Sequence, residues 1–362
     1  MKGLVLAGGQ GTRARPLAYA RPKQLLPVAN KPIIDYAVGA IIALGIREVG
    51  IVVGESTAAP LRAHLGDGSR WGASFTYIVQ PQQRGLADCV LCAQEFLAGE
   101  EFLMYLGDNL FQDPLDGLIS AFRAAEANAA VALAPVADPR AFGVAEVDSA
   151  GRVRRLVEKP AQPSSNLAVV GAYVFDASIV GAAHQVTPSP RGELEITDAI
   201  QLLVDSGRRV ISYRVRGWWK DAGTPHDLLE VNRLVLDGLQ ASTGDGAVVD
   251  GDSRVCGAVA IGAGARVAAS EVAGPVVIGE GAAVLHAQVG PYVAVGPGSR
   301  VEGVHIEDCV VMEEARLLGA GTHLVASLIG ARARVEAGPG QALELVIPDR
   351  SRVRVRPPRA GS

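Results

Sequence analysis

The sequence predicts an α/β protein: a mostly parallel sheet covered by helices, followed by a left-handed parallel β-helix of hexapeptide repeats. Three observations carry this. Strand and helix patterns alternate through the first half, a glycine-rich turn breaks the first apolar run, and the last third repeats itself every 17 residues.

The first run, Leu4-Val5-Leu6-Ala7, reads as a strand buried on both faces. It breaks at Gly8-Gly9-Gln10-Gly11-Thr12-Arg13, and Lys23 follows in a proline-bounded stretch. Glycines after a buried strand let backbone N–H groups come close to a phosphate. Arg13 and Lys23 add the charge that a triphosphate attracts. The turn has neither the glycine spacing of a dinucleotide fingerprint nor the Lys-Ser/Thr of a P-loop. A plain strand–loop junction is therefore the alternative, and the two cations favour the phosphate reading.

Further strands are expected over 49–53, 75–79, 101–106 and 130–136, with helices over 32–44, 59–65, 86–97 and 115–127. This alternation predicts a parallel sheet with helices on both faces, and ligands beyond the carboxyl ends of its strands. The glycine turn and Gly107-Asp108-Asn109 both fall there. From 143 onward, strands over 143–147, 153–157, 168–175 and 209–215 have fewer helices between them, which suggests a smaller mixed substructure for a second substrate. Glu158-Lys159 closes one of these strands, and Asp221 precedes a glycine turn in Trp218-Trp219-Lys220-Asp221-Ala222-Gly223-Thr224.

Asp108 and Asp221 each have an ordinary reading as a turn or helix cap. Together they could instead supply the two carboxylates that Mg²⁺ takes beside phosphate. Cys89 and Cys92 form a CxxC inside a helix with no second pair, so core packing is favoured over zinc. Trp218-Trp219 reads equally as core or as a platform.

At 362 residues the chain is long enough for two domains. A net charge of −4 argues against coating nucleic acid, and no apolar run reaches membrane-span length. Four cysteines without framework spacing fit a reduced, cytoplasmic protein. Near residue 240 aromatics thin out and glycine rises, which sets domains at 1–240 and 241–348 with a basic tail over 349–362. In that tail Arg350, Arg352, Arg354, Arg356 and Arg359 read as an edge strand or a solvated face.

The repeat is explicit. Ile261-Gly-Ala-Gly-Ala-Arg-Val267, Ile278-Gly-Glu-Gly-Ala-Ala-Val284, Val295-Gly-Pro-Gly-Ser-Arg-Val301 and Ile329-Gly-Ala-Arg-Ala-Arg-Val335 share one template, starting at 261, 278, 295 and 329. The missing member is expected at Met312, with about five coils in all. His286, His305 and His323 then fall at offsets 8, 10 and 11 from 278, 295 and 312, out of phase and unstacked. That favours a structural or oligomerising β-helix over an acyltransferase, which commonly uses a histidine between coils.

Leu6-Ala-Gly-Gly-Gln-Gly-Thr-Arg13, Pro22-Lys-Gln-Leu-Leu-Pro27, Gly107-Asp-Asn109, Val157-Glu-Lys-Pro160, Gly192-Glu-Leu-Glu-Ile-Thr-Asp198 and Trp219-Lys-Asp-Ala-Gly-Thr224 occur in this order. The chain thereby resembles the sugar-phosphate nucleotidylyltransferases, in the long form found in deoxysugar pathways. The resemblance implies a Rossmann-like domain that condenses dTTP with glucose 1-phosphate to dTDP-glucose, using Mg²⁺ and acting as a homo-oligomer. Relatives using ATP or GTP usually carry Lys-Pro-x-x-Pro where this chain has Lys-Gln-Leu-Leu-Pro.

It further implies Arg13 and Lys23 as catalytic groups, and Gly8, Gly9, Gly11, Thr12, Arg13, Gln24, Gln80, Pro81, Gly85 and Asp108 around the nucleotide. Lys23, Asn109, Gly143, Glu158, Lys159 and Val169 would hold the sugar phosphate, and Asp108 and Asp221 the metal. Ala14 and Ala18 depart from the usual Leu and Thr, which bears on how the loop packs. Another hexose 1-phosphate, another nucleotide, or a non-catalytic regulatory subunit remain as alternatives.

Overall fold

The computed structural model describes residues 1–338 and 342–355, and its contacts group into two units. One comprises Met1–Gln10 with Ile34–Lys220, the other Gly11–Ile33 with Asp221–Ser362.

The first unit is built on a nine-stranded sheet. Ser74–Gln80, Glu48–Gly54, Lys2–Ala7 and Phe102–Leu106 lie side by side and parallel. Leu167–Phe175 then joins Phe102–Leu106 antiparallel, and Ala129–Pro135 and Gly143–Val147 add to it. The continuous apolar runs follow from burial on both faces: Leu4, Val5, Ala7, Ile51 and Val52 are fully buried, as are Phe102 and Phe175. The chain leaves Lys2–Ala7 for Glu48–Gly54 on one side and returns to Phe102–Leu106 on the other. The strand order therefore reverses at Lys2–Ala7, and ligands in such sheets bind outside the carboxyl ends at this point. Leu6 pairs with Leu106, and the Gly107 N–H donates to the Leu6 carbonyl at 2.9 Å. Gly8 and Asp108 thus leave neighbouring strand ends.

The second unit holds a parallel β-helix. Ile261, Ile278, Val295, Val311, Ile329 and Ile347 pair in one column. Val267, Val284, Val301, Leu317, Val335 and Val353 make a second. A third runs Val272, Val289, Ile306, Leu324. These apolar side chains stack inward into one core. Glycine follows the first column because the next coil passes close by: a Cβ on Gly262 would lie 2.5 Å from the Glu280 nitrogen.

Two sequence expectations are corrected here. The missing repeat begins at Val311, not Met312, because the corner after Ile306 is one residue shorter than in the coil before: Val289 pairs with Ile306, but Val295 with Val311. Met312 then occupies the glycine position. Two extra residues between Leu318 and Thr322 offset this, so His305 pairs with His323. Their rings stack at 4.3 Å and 9°, where the strict period predicted no stacking. The coil also runs past residue 348, since Arg352–Val355 pairs with Arg334–Ala337 and Arg354 bonds Glu336. Arg356 and Arg359 lie outside the described residues.

Residues 11–33 pack with this unit through polar anchors. The Arg21 guanidinium donates to Glu313 at 2.7 Å and to Asp349 at 2.9 Å, with only 19% of its side chain exposed. Asn30 donates to the Val295 carbonyl, and Asn232 accepts from the Ala29 N–H. Among the described residues, no helix is long and apolar enough to cross a membrane.

Arg21→Ala leaves two carboxylates facing each other without their shared cation. A loss of about 2–4 kcal/mol is expected, measured as a lower denaturation midpoint. Arg21→Lys recovers only part, since an ammonium offers its three donors from one point and not the planar fork that reaches both acids through Nε, Nη1 and Nη2.

Candidate active site

In the first unit the sequence-selected residues form two groups at the sheet ends. Around Gly8, the carbonyl accepts from the Gln83 side chain at 2.7 Å, and a Cβ here would stand 3.2 Å from Gln80 Oε1. The Gln80 amide donates to Asp88 at 2.8 Å and to the Gly85 carbonyl at 3.2 Å. Asp88 is buried and held by Arg84 at 2.7 Å. Gly85 sits at φ 102, and a Cβ would meet the Leu194 carbonyl at 2.5 Å, so only glycine fits. Gly8, Gln80 and Gly85 therefore line one rigid corner, with Pro81 following Gln80 and Gly9 exposed after Gly8.

Asp108 follows directly, its Oδ1 accepting from Asn109 at 2.9 Å. Asn109 is buried and accepts the Trp219 indole N–H at 2.6 Å. Trp219 also packs edge-on against Phe142, with centroids 5.6 Å apart. Of the pair Trp218-Trp219, the half-buried Trp219 thus orients Asn109, next to Asp108.

The second group is a cluster around Glu158, at the end of Val153–Glu158. A Cβ on Gly143 would lie 2.6 Å from Thr197, 3.2 Å from Glu158 Oε2 and 3.4 Å from Val169. Gly143, Glu158 and Val169, distant in sequence, are thus brought together. Lys159 approaches Glu158 at 3.8 Å, with its backbone at φ 41. Sequence reasoning assigned no role to three further members. Thr197 donates to Glu158 at 3.1 Å, and Arg191 reaches Glu158 at 3.2 Å and Glu195 at 2.7 Å. The signal was present in Gly192-Glu-Leu-Glu-Ile-Thr-Asp198, which loops back to this cluster. Burial, with Glu195 nearby, pushes the Glu158 carboxyl up from its ordinary value.

In the second unit, Gly11 takes φ 65 and leads into the turn Thr12–Ala14. A Cβ on Gly11 would press on Lys23 Cβ at 2.9 Å and Ala18 Cβ at 3.2 Å. Ala14 is buried and Ala18 meets Gly11, so the two departures sit in a close-packed turn. Arg13 is largely exposed, with Nη2 3.7 Å from Asp221 Oδ2, and Gly223 leaves room for both. Gln24 is buried with its Oε1 lacking a hydrogen-bond partner. Cys89 is buried within Leu86–Cys92, as core packing predicted, while Cys92, expected beside it in the core, is only half-buried.

Comparison with known proteins shows the family. The family model described as nucleotidyl transferase matches residues 2–238. A glucose-1-phosphate thymidylyltransferase of Streptomyces griseus is 46% identical over 98% of this chain and 99% of its own length. A low-salt glycan biosynthesis nucleotidyltransferase of Haloferax volcanii is 44% identical over 92% of this chain and 94% of its own. A solved structure from Bacillus anthracis, described as a glucose-1-phosphate thymidylyltransferase, superposes with a TM-score of 0.61 at 35% identity. It covers 65% of this chain and 94% of its own.

The raised Glu158 carboxyl makes the cluster a cost to folding at neutral pH. The neutral form is favoured in the fold, so stability is fully present below the ordinary 4.5 and lost as pH rises through the folded value. Glu158→Gln, always neutral, is expected to melt higher than the parent at pH 8, with the gain vanishing towards pH 4. Thermal melts across this range check it.

Proposed function

The chain belongs to the nucleotidyl transferase family, and we propose that it condenses dTTP and α-D-glucose 1-phosphate to dTDP-glucose and pyrophosphate. The observation that carries this reading is the register that sets Gly8 and Asp108 on neighbouring strand ends at the reversal of strand order. There a nucleotide phosphate chain finds backbone N–H groups and a carboxylate for its metal. The near-full-length relatives support the choice of substrates. Residues 1–240 serve as the nucleotidyltransferase domain, and the β-helix from 241 assembles a homo-oligomer in the cytoplasm.

A sugar-phosphate oxygen attacks the α-phosphorus of dTTP in line. A new P–O bond forms as the bond to the β-phosphate oxygen breaks, and pyrophosphate leaves with the electron pair. Catalysis rests on positioning and on neutralising charge, without a covalent enzyme intermediate. Arg13 stabilises the transferring centre and the leaving pyrophosphate. Lys23 holds the attacking phosphate and lowers its repulsion from the α-phosphate. Gly8, Gly9, Gly11 and Thr12 offer backbone N–H groups to the phosphates, with Gln24 beside them. Gln80, Pro81 and Gly85 read the base. Glu158, with Gly143, Val169, Asn109 and Lys159, holds the glucosyl moiety by its hydroxyls.

Asp108 and Asp221 present carboxylate oxygens, the hard donors that Mg²⁺ takes while leaving positions for phosphate and water. When bound, the ion supplies further charge neutralisation and orients the α-phosphate.

Pyrophosphate release measured across four nucleoside triphosphates and several sugar 1-phosphates tests the substrates. The highest kcat/KM is expected for dTTP with glucose 1-phosphate. A better pair replaces these substrates, and no release with any pair removes the enzymatic reading in favour of a regulatory subunit. Arg13→Ala and Asp108→Asn are each expected to lower kcat by at least about a hundredfold, the scale for losing one transition-state donor. Near-normal turnover in either overturns its role.

A further inference from the structure

Outside this site, one cluster on the β-helix combines metal-ligating chemistry with converging geometry. The outward residue preceding the third inward column is Glu271, then Gln288, His305 and His323 in successive coils. His305 and His323 therefore stand one above the other on the same face, and Glu307 lies two residues along the strand from His305, on the same side. One donor atom from each of the three lies within 4.8 Å of the others.

One detail distinguishes this from an ordinary surface ion pair. His323 Nε2 lies 3.2 Å from Glu307 Oε1, yet this nitrogen is shielded from solvent and makes no hydrogen bond. The two atoms sit side by side instead of one being aimed at the other. Ligands of one tetrahedral ion do the same: with metal–ligand distances of about 2.0–2.1 Å, neighbouring donors fall roughly 3.3 Å apart.

We propose that His305, Glu307 and His323 form a binding site for a divalent transition ion, Zn²⁺ by its preference for imidazole and carboxylate, with water in the fourth position. The ion clasps two adjacent coils where their lengths differ, the coil from Val295 to Val311 being shorter than the coil from Val311 to Ile329. Because imidazole lone pairs lie in the ring plane, one of the two stacked rings must rotate out of the stack for both nitrogens to reach the ion. The site is separate from the Mg²⁺ chemistry above, because Mg²⁺ takes oxygen donors and the two imidazoles exclude it here.

The test uses the full chain, stripped with a chelator and returned to buffer containing millimolar Mg²⁺. Titration with ZnCl₂ is expected to show one ion bound per chain with micromolar or tighter affinity. His323→Ala and Glu307→Gln are each expected to weaken it at least tenfold, and His305→Ala/His323→Ala to abolish it. Cobalt substitution should give the intense visible bands of a tetrahedral site, and Zn²⁺ should raise the melting temperature of the parent but not of the double variant. Circular dichroism of the metal-free double variant, matching the parent, shows that the coils remain folded. Absence of saturable binding overturns the proposal, as does Zn²⁺ binding with parental affinity in the double variant.

Discussion

The Arg21 guanidinium, shared between Glu313 and Asp349, fixes the segment on which the proposed phosphate chemistry depends. Arg13 and Lys23 lie on that segment, and the turn between Gly11 and Ala14 has no long helix or strand of its own to hold it. Three-residue turns and two-residue strands contribute few backbone hydrogen bonds, so side-chain anchors must set the loop's position. Arg21 supplies one, Asn30 on the Val295 carbonyl another, and the contact of Ala29 with Asn232 a third. Each ends on the β-helix or on the helix Pro225–Leu236. A β-helix that the histidine phase cast as structural or oligomerising therefore also packs the loop bearing the proposed catalytic cations.

What the sequence disclosed follows from how local each signal was. The parallel strands were legible because burial on both faces leaves an unbroken apolar run, as in Leu4–Ala7. The coil period was legible because one Ile or Val column recurs at nearly fixed spacing. The phase of the histidines was not. A corner one residue short after Ile306 and two extra residues after Leu318 are invisible to a strict period but decide which side chains meet. Arg21 gave no sign of its partners, which lie 292 and 328 residues further along the chain.

The site shows the same division. Glu158 and Gly143 were singled out through the family resemblance, and the structure brings them together with Val169. Arg191 and Glu195, just before Ile196–Asp205, and Thr197, in its first turn, needed the three-dimensional return of this segment. Their arrangement explains why two acids tolerate each other there: Arg191 bridges Glu158 and Glu195, while burial still disfavours the charged form of Glu158. A cluster that holds a carboxylate against its solvation preference suits the proposed contact with sugar hydroxyls, whose hydrogen bonds would replace the lost water.

The grouping of residues 11–33 with the β-helix has a consequence for recombination. Grafting a β-helix from one such protein onto the sheet of another would ordinarily cut at the composition change near 240. Such a chimera would keep the native loop but exchange the residues at 295, 313 and 349 that receive it. The heritable block is discontinuous, so a workable exchange carries the loop along with the coils. Insertions and losses of the β-helix over evolutionary time would then leave matched changes at positions 21 and 30, far upstream of the breakpoint.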